Sequence, residues 1–336
     1  MIGGEFHISA FDILKAENTS LVEEEGVYRY ASGRAALFHI LKFLKEELKI
    51  SRLLLPDYLC CSILEPVKKL EFHYEFYSID EHLLLDGGSF SQLYDSSSAV
   101  LIINYFGLQD LSPSIQFIRS IDCDAIILED DVQAYYEFIK DLDGVDFKFT
   151  SLRKVFAVPE GGLVKTKYKL PLAKQPNKFG QYKLAAALLK SMRNGFLNDD
   201  VYLDISKLGS ELINEDLEMG MNKVAIGLYS NMDFESVRKH RLDNARILAE
   251  HLGELGIQPL LPLKEDKVPL FLPIVLKNRD IVRRRMFEHN IFCPIHWPLD
   301  GMSVEKGKQM ASEELSLIVD QRYGQKEMYE ILSMLS

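Results

Sequence analysis

Short apolar runs alternate with helical patterns along the first two thirds of the chain. Most of these runs are apolar on both faces, as strands are inside a parallel sheet with helices on each side. Apolar residues at steps of three and four predict a helix that begins just after Ser32 and Gly33. The alternation therefore predicts an α/β fold. The predicted strands are Leu53–Leu55, Phe72–Ile79, Ala99–Tyr105, Ala125–Leu128 and Gly162–Lys165.

The pattern changes after about residue 225. A long helix is predicted from Phe234 to Leu255, and a strand-like run from Val268 to Leu276 follows it. We therefore expect a large domain over residues 1–225 and a smaller α+β domain over residues 226–336, with roughly the first 25 residues packed on the smaller one. The segment Leu170–Gly220 is predicted to bridge the domains or to cover the site.

Composition and charge argue against several classes of protein. The 336 residues are 47% apolar, which is enough for substantial cores, and the formal charge of -11 argues against a nucleic-acid partner. No apolar run reaches the length of a membrane span and no signal-peptide pattern opens the sequence, so we expect a cytoplasmic protein with no membrane partner. The four cysteines lack zinc-site spacing and the eight histidines are scattered, so we predict reduced thiols and no metal.

Lys154 has the clearest chemical implication of any residue. It follows the hydroxyl residues Thr150 and Ser151 and precedes the pair Gly161–Gly162, while an upstream strand-like run ends at Asp130. A lysine amine forms an imine with an aldehyde, a strand-end carboxylate keeps a pyridine nitrogen protonated, and a hydroxyl binds phosphate. Together these residues predict a site for pyridoxal 5'-phosphate (PLP).

The predicted helix start supplies further phosphate contacts. Ser32 suits the N-cap position, Gly33 lets an anion approach the free N–H groups of the first turn, and Arg34 adds positive charge. A Ser-Gly pair alone more often only caps a helix. Its occurrence in one chain with Lys154 and Asp130 favours phosphate binding.

Taken together, these residues resemble the nucleotide-sugar aminotransferase family, which includes 3-amino-5-hydroxybenzoate synthase and belongs to the fold-type I PLP enzymes. The resemblance spans most of the chain. It is carried by the turn Ser32–Leu37, by Glu129–Ala134 and by Ser151–Gly162. By this resemblance Asp130 faces the pyridine nitrogen, Gln133 lies near the ring hydroxyl and Lys154 is the imine-forming lysine.

The resemblance also implies an architecture and an activity. The expected fold is a three-layer α/β/α large domain with a mainly parallel sheet, plus a smaller C-terminal α+β domain. The expected reaction moves an amino group from glutamate or glutamine to a keto group of a nucleotide-linked sugar, in a homodimer with shared active sites. The partners are therefore a small-molecule amino donor and a keto-sugar nucleotide.

Several side-chain roles complete the prediction. Tyr58 is expected to stack on the cofactor, because Leu54–Tyr58 resembles the family's turn that carries an aromatic ring. Either Thr150 or Ser151 is expected to bind the phosphate. Two candidate substrate residues are Trp297, the single tryptophan, and Arg322, whose planar guanidinium suits a donor carboxylate.

Two alternatives to amino transfer stay open at this point. The first is another PLP reaction, such as dehydration or aldol chemistry, although the family's dehydratases carry histidine in place of the lysine. The second is a catalytically silent relative that uses the fold for regulation or binding. It is motivated by three departures from the family pattern, at Arg34, Cys60 and Asn104.

Overall fold

The computed structural model describes residues 1–16, 24–174, 177–192, 199–215, 217–298 and 310–335. The strands are β1 (Ile2–Gly3), β2 (Val27–Tyr30), β3 (Arg52–Pro56), β4 (His73–Tyr77), β5 (Ser98–Ile103), β6 (Ile126–Asp130), β7 (Phe147–Ser151), β8 (Gly162–Thr166), β9 (Phe271–Val275), β10 (Ile291–Phe292) and β11 (Glu314–Ile318). The helices are α1 (Ala10–Ala16), α2 (Gly33–Glu46), α3 (Leu64–Lys69), α4 (Gly87–Leu93), α5 (Ser112–Ile121), α6 (Tyr135–Phe138), α7 (Leu152–Val155), α8 (Phe179–Ser191), α9 (Asp199–Leu212), α10 (Lys223–Ser230), α11 (Phe234–Glu254), α12 (Arg279–Glu288) and α13 (Gln325–Ser333).

The largest described sheet has seven strands in the order β2-β8-β7-β6-β5-β3-β4. Strands β7, β6, β5, β3 and β4 run parallel to their neighbours in this series, and β8 runs antiparallel to both β7 and β2. The carboxyl ends of β5, β6 and β7 therefore meet at one edge of the sheet. This edge is where open parallel sheets bind ligands.

Helices cover both faces of this sheet. Along β3, Leu53 and Leu55 pack in the same core cluster as α2, whereas Leu54 packs in a second cluster with Phe90 of α4 and Ile118 of α5. Successive strand residues point to opposite faces, so this alternation places one helical layer on each side. The predicted α/β/α arrangement with a mainly parallel sheet is confirmed.

The predicted strands are all present, with ends shifted by a few residues, and the long helix is observed as α11. Strands β2 and β7 of the seven-stranded sheet were not predicted, and neither were the two-residue strands β1 and β10. Helix α2 begins at Gly33 as expected, and its N-cap Ser32 accepts a hydrogen bond from the backbone N–H of Ala35 at 3.1 Å. The segment Leu170–Gly220 contains α8 and α9, which pack against each other.

The C-terminal part contains an antiparallel pair formed by β9 and β11. The N-terminal segment joins it, because β1 pairs in parallel with β10. Helix α1 packs on α10. The domain division near residue 225 stays a prediction. Within the described ranges, no helix combines the length and the apolar character needed to cross a membrane.

Candidate active site

A cavity of about 150 Å³ lies at the carboxyl ends of β5, β6 and β7. Its walls come from the end of each strand, from the first turn of α2 and from the segment around Trp297. The structure thus brings together side chains that are distant in sequence. The sequence-predicted site residues that line the cavity are Ser32, Gly33, Arg34, Asp130, Gln133, Ser151, Lys154 and Trp297.

The first turn of α2 forms one end of the cavity. A Cβ atom on Gly33 would lie 3.2 Å from Cβ of Ser151 and 3.3 Å from Cγ2 of Val132, so any side chain would fill this cradle. Arg34 lines the same end, where its Nη1 donates to Asn214 Oδ1 and burial lowers its pKa. A helix N-terminus with a hydroxyl and a guanidinium beside it is suited to bind an anion.

Asp130 ends β6 and is buried at the cavity floor. Its Oδ1 accepts a hydrogen bond from the N–H of Val132 at 2.9 Å, while its Oδ2 has no hydrogen bond to any described residue. Burial is the main reason that the pKa of Asp130 is raised to about 7, and the nearby Glu129 raises it further. A buried carboxylate with one unused oxygen is suited to a cationic partner in the cavity.

Lys154 lies in α7, directly after β7, and lines the cavity. Its amine makes no hydrogen bond or ion pair with the described part of the chain, which leaves the nitrogen available. The side chain is exposed to the cavity, but protein surrounds that space. The pKa of Lys154 is therefore lowered, first by desolvation and then by the positive charge of Arg153 and Arg34. A lowered pKa increases the fraction of neutral, nucleophilic amine.

The sequence did not decide whether Thr150 or Ser151 contacts the phosphate, and the two hydroxyl groups have different surroundings in the structure. Ser151 lines the cavity. Thr150 is fully buried, and its hydroxyl donates to the carbonyl of Asp131 at 2.7 Å. Ser151 is thus the one of the two that faces the cavity.

Gln133 and Tyr58 also differ in where they point. The Oε1 atom of Gln133 accepts from the N–H of Phe106 at 2.9 Å, which leaves its NH₂ group for the cavity that the residue lines. Tyr58 does not line the cavity: it is fully buried, stacks on Tyr105 at 5.6 Å and donates to the carbonyl of His296. Tyr58 therefore supports the cavity wall from behind and does not take the stacking position expected of it.

His296 is a cavity residue to which the sequence assigned no role of its own. Its Nδ1 lies 2.8 Å from the Ser316 hydroxyl, which in turn donates to Oε1 of Glu314. With Glu314 ionised, the serine proton is used on its carboxylate, so Nδ1 carries the ring proton and Nε2 is left as an acceptor. Burial and the nearby Lys154 lower the pKa of His296 to about 3, so the ring is neutral.

Arg322 lies apart from this cavity and lines a second one of about 380 Å³. Its Nε and Nη2 donate to the two oxygens of Asp320 at 3.0 and 2.7 Å, and it also donates to the carbonyls of Gly4 and Glu5. The fork that was expected to hold a donor carboxylate is therefore already bound to a carboxylate of the same chain.

Neither a protein-family model nor a curated protein sequence matches this chain. Solved structures do. The sugar aminotransferase CalS13 from Micromonospora echinospora matches with a TM-score of 0.69 over 100% of this chain and 99% of its own, at 12% identity. The chain has the fold of the sugar aminotransferases.

Two further structures share this fold. One is PseC from Helicobacter pylori, an aminotransferase involved in the biosynthesis of pseudoaminic acid (TM-score 0.67, 12% identity, 98% of this chain and 96% of that chain). The other is NtdA from Bacillus subtilis, solved with the bound cofactor PMP (TM-score 0.63, 16% identity, 92% of this chain and 72% of that chain). The expected fold-type I architecture is thus confirmed over nearly the whole chain.

Proposed function

We propose that this protein is a PLP-dependent aminotransferase that acts through Lys154. The observation that carries the proposal is the placement of an unpartnered lysine amine in the same cavity as a buried aspartate with an unused oxygen. The chain order of these residues along a sheet of the fold-type I kind supports it, as does the presence of the PMP cofactor in NtdA.

The residues present fit the cofactor. The unused Oδ2 of Asp130 provides the negative charge that a protonated pyridine nitrogen needs. The Gly33 cradle, closed by Ser151, would hold the phosphate at the N-terminus of α2, with Ser32 and Arg34 beside it. The NH₂ group of Gln133 would donate to the oxygen on the ring.

PLP, when bound, supplies a ring that accepts electron density from the substrate carbon. Asp130 would supply a negative charge to the ring nitrogen, and without this charge the ring would accept less electron density. Lys154, whose lowered pKa favours the neutral amine, would hold the cofactor and, once displaced by a substrate amine, would take and return a proton. His296, with Nε2 as an acceptor, offers a hydrogen-bond acceptor beside that amine.

The finer activity rests on the family resemblance and on what the neighbouring structures are. We propose glutamate or glutamine as the donor and a keto group of a nucleotide-linked sugar as the acceptor. CalS13 is a sugar aminotransferase, which supports a sugar acceptor. A cytoplasmic homodimer with shared sites completes the proposal. Exposed apolar side chains around α8 and α9 support such an interface: Leu172, Met192, Leu203 and Leu208.

Borohydride reduction followed by peptide mapping tests the proposal. The protein saturated with PLP should carry a reduced adduct on Lys154, and glutamate should convert the bound cofactor to its amino form. Lys154→Ala should lose both the adduct and turnover. An adduct on another lysine would refute the assignment of Lys154.

The same experiment separates the two alternatives. A protein that forms the adduct but shows no spectral change with any amino donor would be a catalytically silent relative. A protein that reacts with keto-sugar nucleotides to lose water, without net amino transfer, would be a dehydratase. Conversion by glutamate followed by amination of a keto-sugar nucleotide contradicts both.

A further inference from the structure

The second cavity of about 380 Å³ adjoins the first at Lys154. The two cavities share Arg153, Lys154, Leu270 and His296. The N-terminal segment from Gly3 to Phe6 forms another wall of the second cavity. A molecule in this space would therefore reach the lysine amine from a side where the cofactor residues do not lie.

Three guanidinium groups line the second cavity, and they differ in how their donors are used. Arg322 is bound to Asp320. Arg241 is buried and donates to the carbonyls of Val155, Pro269 and Leu270, so its fork is turned to the backbone. Arg153 makes no hydrogen bond to any described residue. Of these three groups it is thus the guanidinium whose Nη donors remain for a ligand.

The immediate surroundings of Arg153 explain how it is held without such bonds. Its guanidinium lies over the ring of Phe179 at 5.6 Å, and its Nη1 lies 3.8 Å from Oε1 of Glu5. Glu5 itself accepts from Lys183 at 3.0 Å and from Ser206 at 2.6 Å. The charge of Glu5 is therefore directed mainly to Lys183, and 3.8 Å is too long for a hydrogen bond to Arg153.

We propose that Arg153 binds the carboxylate of the amino donor. The inference rests on the proposed function, because it needs Lys154 to be the amine that exchanges with the donor. A guanidinium fork matches a carboxylate with two parallel hydrogen bonds. In an amino acid the carboxylate is one carbon away from the amine, and Arg153 is the residue adjacent to Lys154 and shares both cavities with it.

Glu5 acts in this proposal as a competing anion. Its carboxylate lies close enough to lower the affinity of Arg153 for an anionic ligand, but too far away to form the hydrogen bonds that a bound ligand would form. Removal of its charge should therefore strengthen binding of the donor carboxylate, whereas removal of the Arg153 charge should weaken it. If Arg153 and Glu5 only supported the local packing, substitution of either one would weaken binding. Opposite effects of the two substitutions therefore distinguish charge interactions with the ligand from a packing role.

Calorimetric titration of the PLP-loaded protein with succinate measures this directly, since succinate offers carboxylates but no amine. Loss of a charge-assisted bidentate pair is expected to weaken binding roughly 10- to 100-fold in Arg153→Gln. Arg153→Lys, which keeps the charge but loses the fork, should fall between wild type and Arg153→Gln. Glu5→Gln should bind succinate up to severalfold more tightly than wild type, because a competing negative charge is removed. Arg246→Gln, which removes a half-exposed arginine on α11, is the matched control and should behave as wild type.

Inorganic pyrophosphate, titrated in parallel, separates a carboxylate site from a phosphate site. If Arg153→Gln weakens pyrophosphate but leaves succinate unchanged, the site belongs to a phosphate-bearing acceptor and the donor assignment is overturned. Unchanged succinate binding with an intact Lys154 adduct would refute the role of Arg153 alone. An adduct on another lysine would instead refute the proposed function.

Discussion

Substitution of Gly162 by alanine is the sharpest test of how the phosphate end of the site is built. Gly162 begins β8 and lies directly behind the turn that starts α2. A Cβ atom at this position would lie 2.0 Å from the carbonyl oxygen of Ser32, 2.3 Å from its carbonyl carbon and 2.8 Å from the nitrogen of Gly33. These are backbone atoms, so no side-chain rotation relieves the overlap.

The size of the effect follows from these distances. A carbon and a carbonyl oxygen in contact lie about 3.3 to 3.6 Å apart, so the turn must retreat by more than ~1 Å. The same carbonyl of Ser32 accepts the first hydrogen bond of α2, from the N–H of Ala36 at 2.9 Å. Overpacking costs about 1–3 kcal/mol and a weakened buried hydrogen bond about 1–3 kcal/mol. We expect the free energy of unfolding to fall by ~2–6 kcal/mol, a large part of the stability of an ordinary domain.

Urea unfolding followed by circular dichroism measures this change, and a PLP titration measures the loss of cofactor affinity. Gly253→Ala is the matched control, because no atom lies within 4 Å of its Cβ position in α11. It should raise the free energy of unfolding by about 0.5–1 kcal/mol, the ordinary helix preference of alanine over glycine. If Gly162→Ala stayed within ~0.5 kcal/mol of wild type and bound PLP normally, the reasoning about this contact would be wrong.

Two further predictions concern the carboxylate and the hydroxyl groups. Burial raises the pKa of Asp130 to about 7, above its value of 3.8 in an unfolded chain. The folded protein therefore holds this proton more tightly than the unfolded chain. The resulting contribution to the free energy of unfolding is fully present below about pH 4 and is lost as the pH rises to 7. The cofactor-free protein should lose on the order of 4 kcal/mol over this range relative to Asp130→Asn; parallel unfolding profiles for the two proteins would contradict this. Ser151→Ala should weaken PLP binding with little effect on stability, whereas Thr150→Val should cost about 1–3 kcal/mol of stability because it leaves the Asp131 carbonyl without its donor; equal losses of PLP affinity would contradict the distinction.

Within the seven-stranded sheet, the sequence predicted five strands that are largely apolar and missed two whose patterns are mixed. Strand β7 contains Lys148, which is buried and forms an ion pair with Glu129 at 3.6 Å. A charged residue inside a short apolar run makes a buried strand hard to predict, because the partner of the charge is known only from the tertiary structure. Strand β2 is an edge strand with Arg29 in its middle, and most of its residues are only partly buried.

The sequence correctly placed residues in the cavity where their position follows from their neighbours in sequence. Asp130 ends an apolar strand, and Gly33 starts an amphipathic helix. The role of Tyr58 was misjudged, because its hydroxyl bonds to His296, 238 positions away in the sequence. The pairing of Arg322 was missed for a different reason: its acidic partner, Asp320, is only two residues away, but the sequence does not show that the two side chains turn toward each other.

The departures at Arg34, Cys60 and Asn104 concern side chains, whereas the frame of the site is set by backbone contacts. Gly162 lies so close to Ser32 that there is no room for a Cβ atom. A Cβ atom on Gly33 would press tightly against Ser151. These contacts join the start of α2 to the ends of β7 and β8, whichever side chain follows Gly33. The departures therefore bear on which molecule the site contacts and not on whether the site forms. Lys154 and Asp130, which carry the proposed chemistry, both remain in place within that frame.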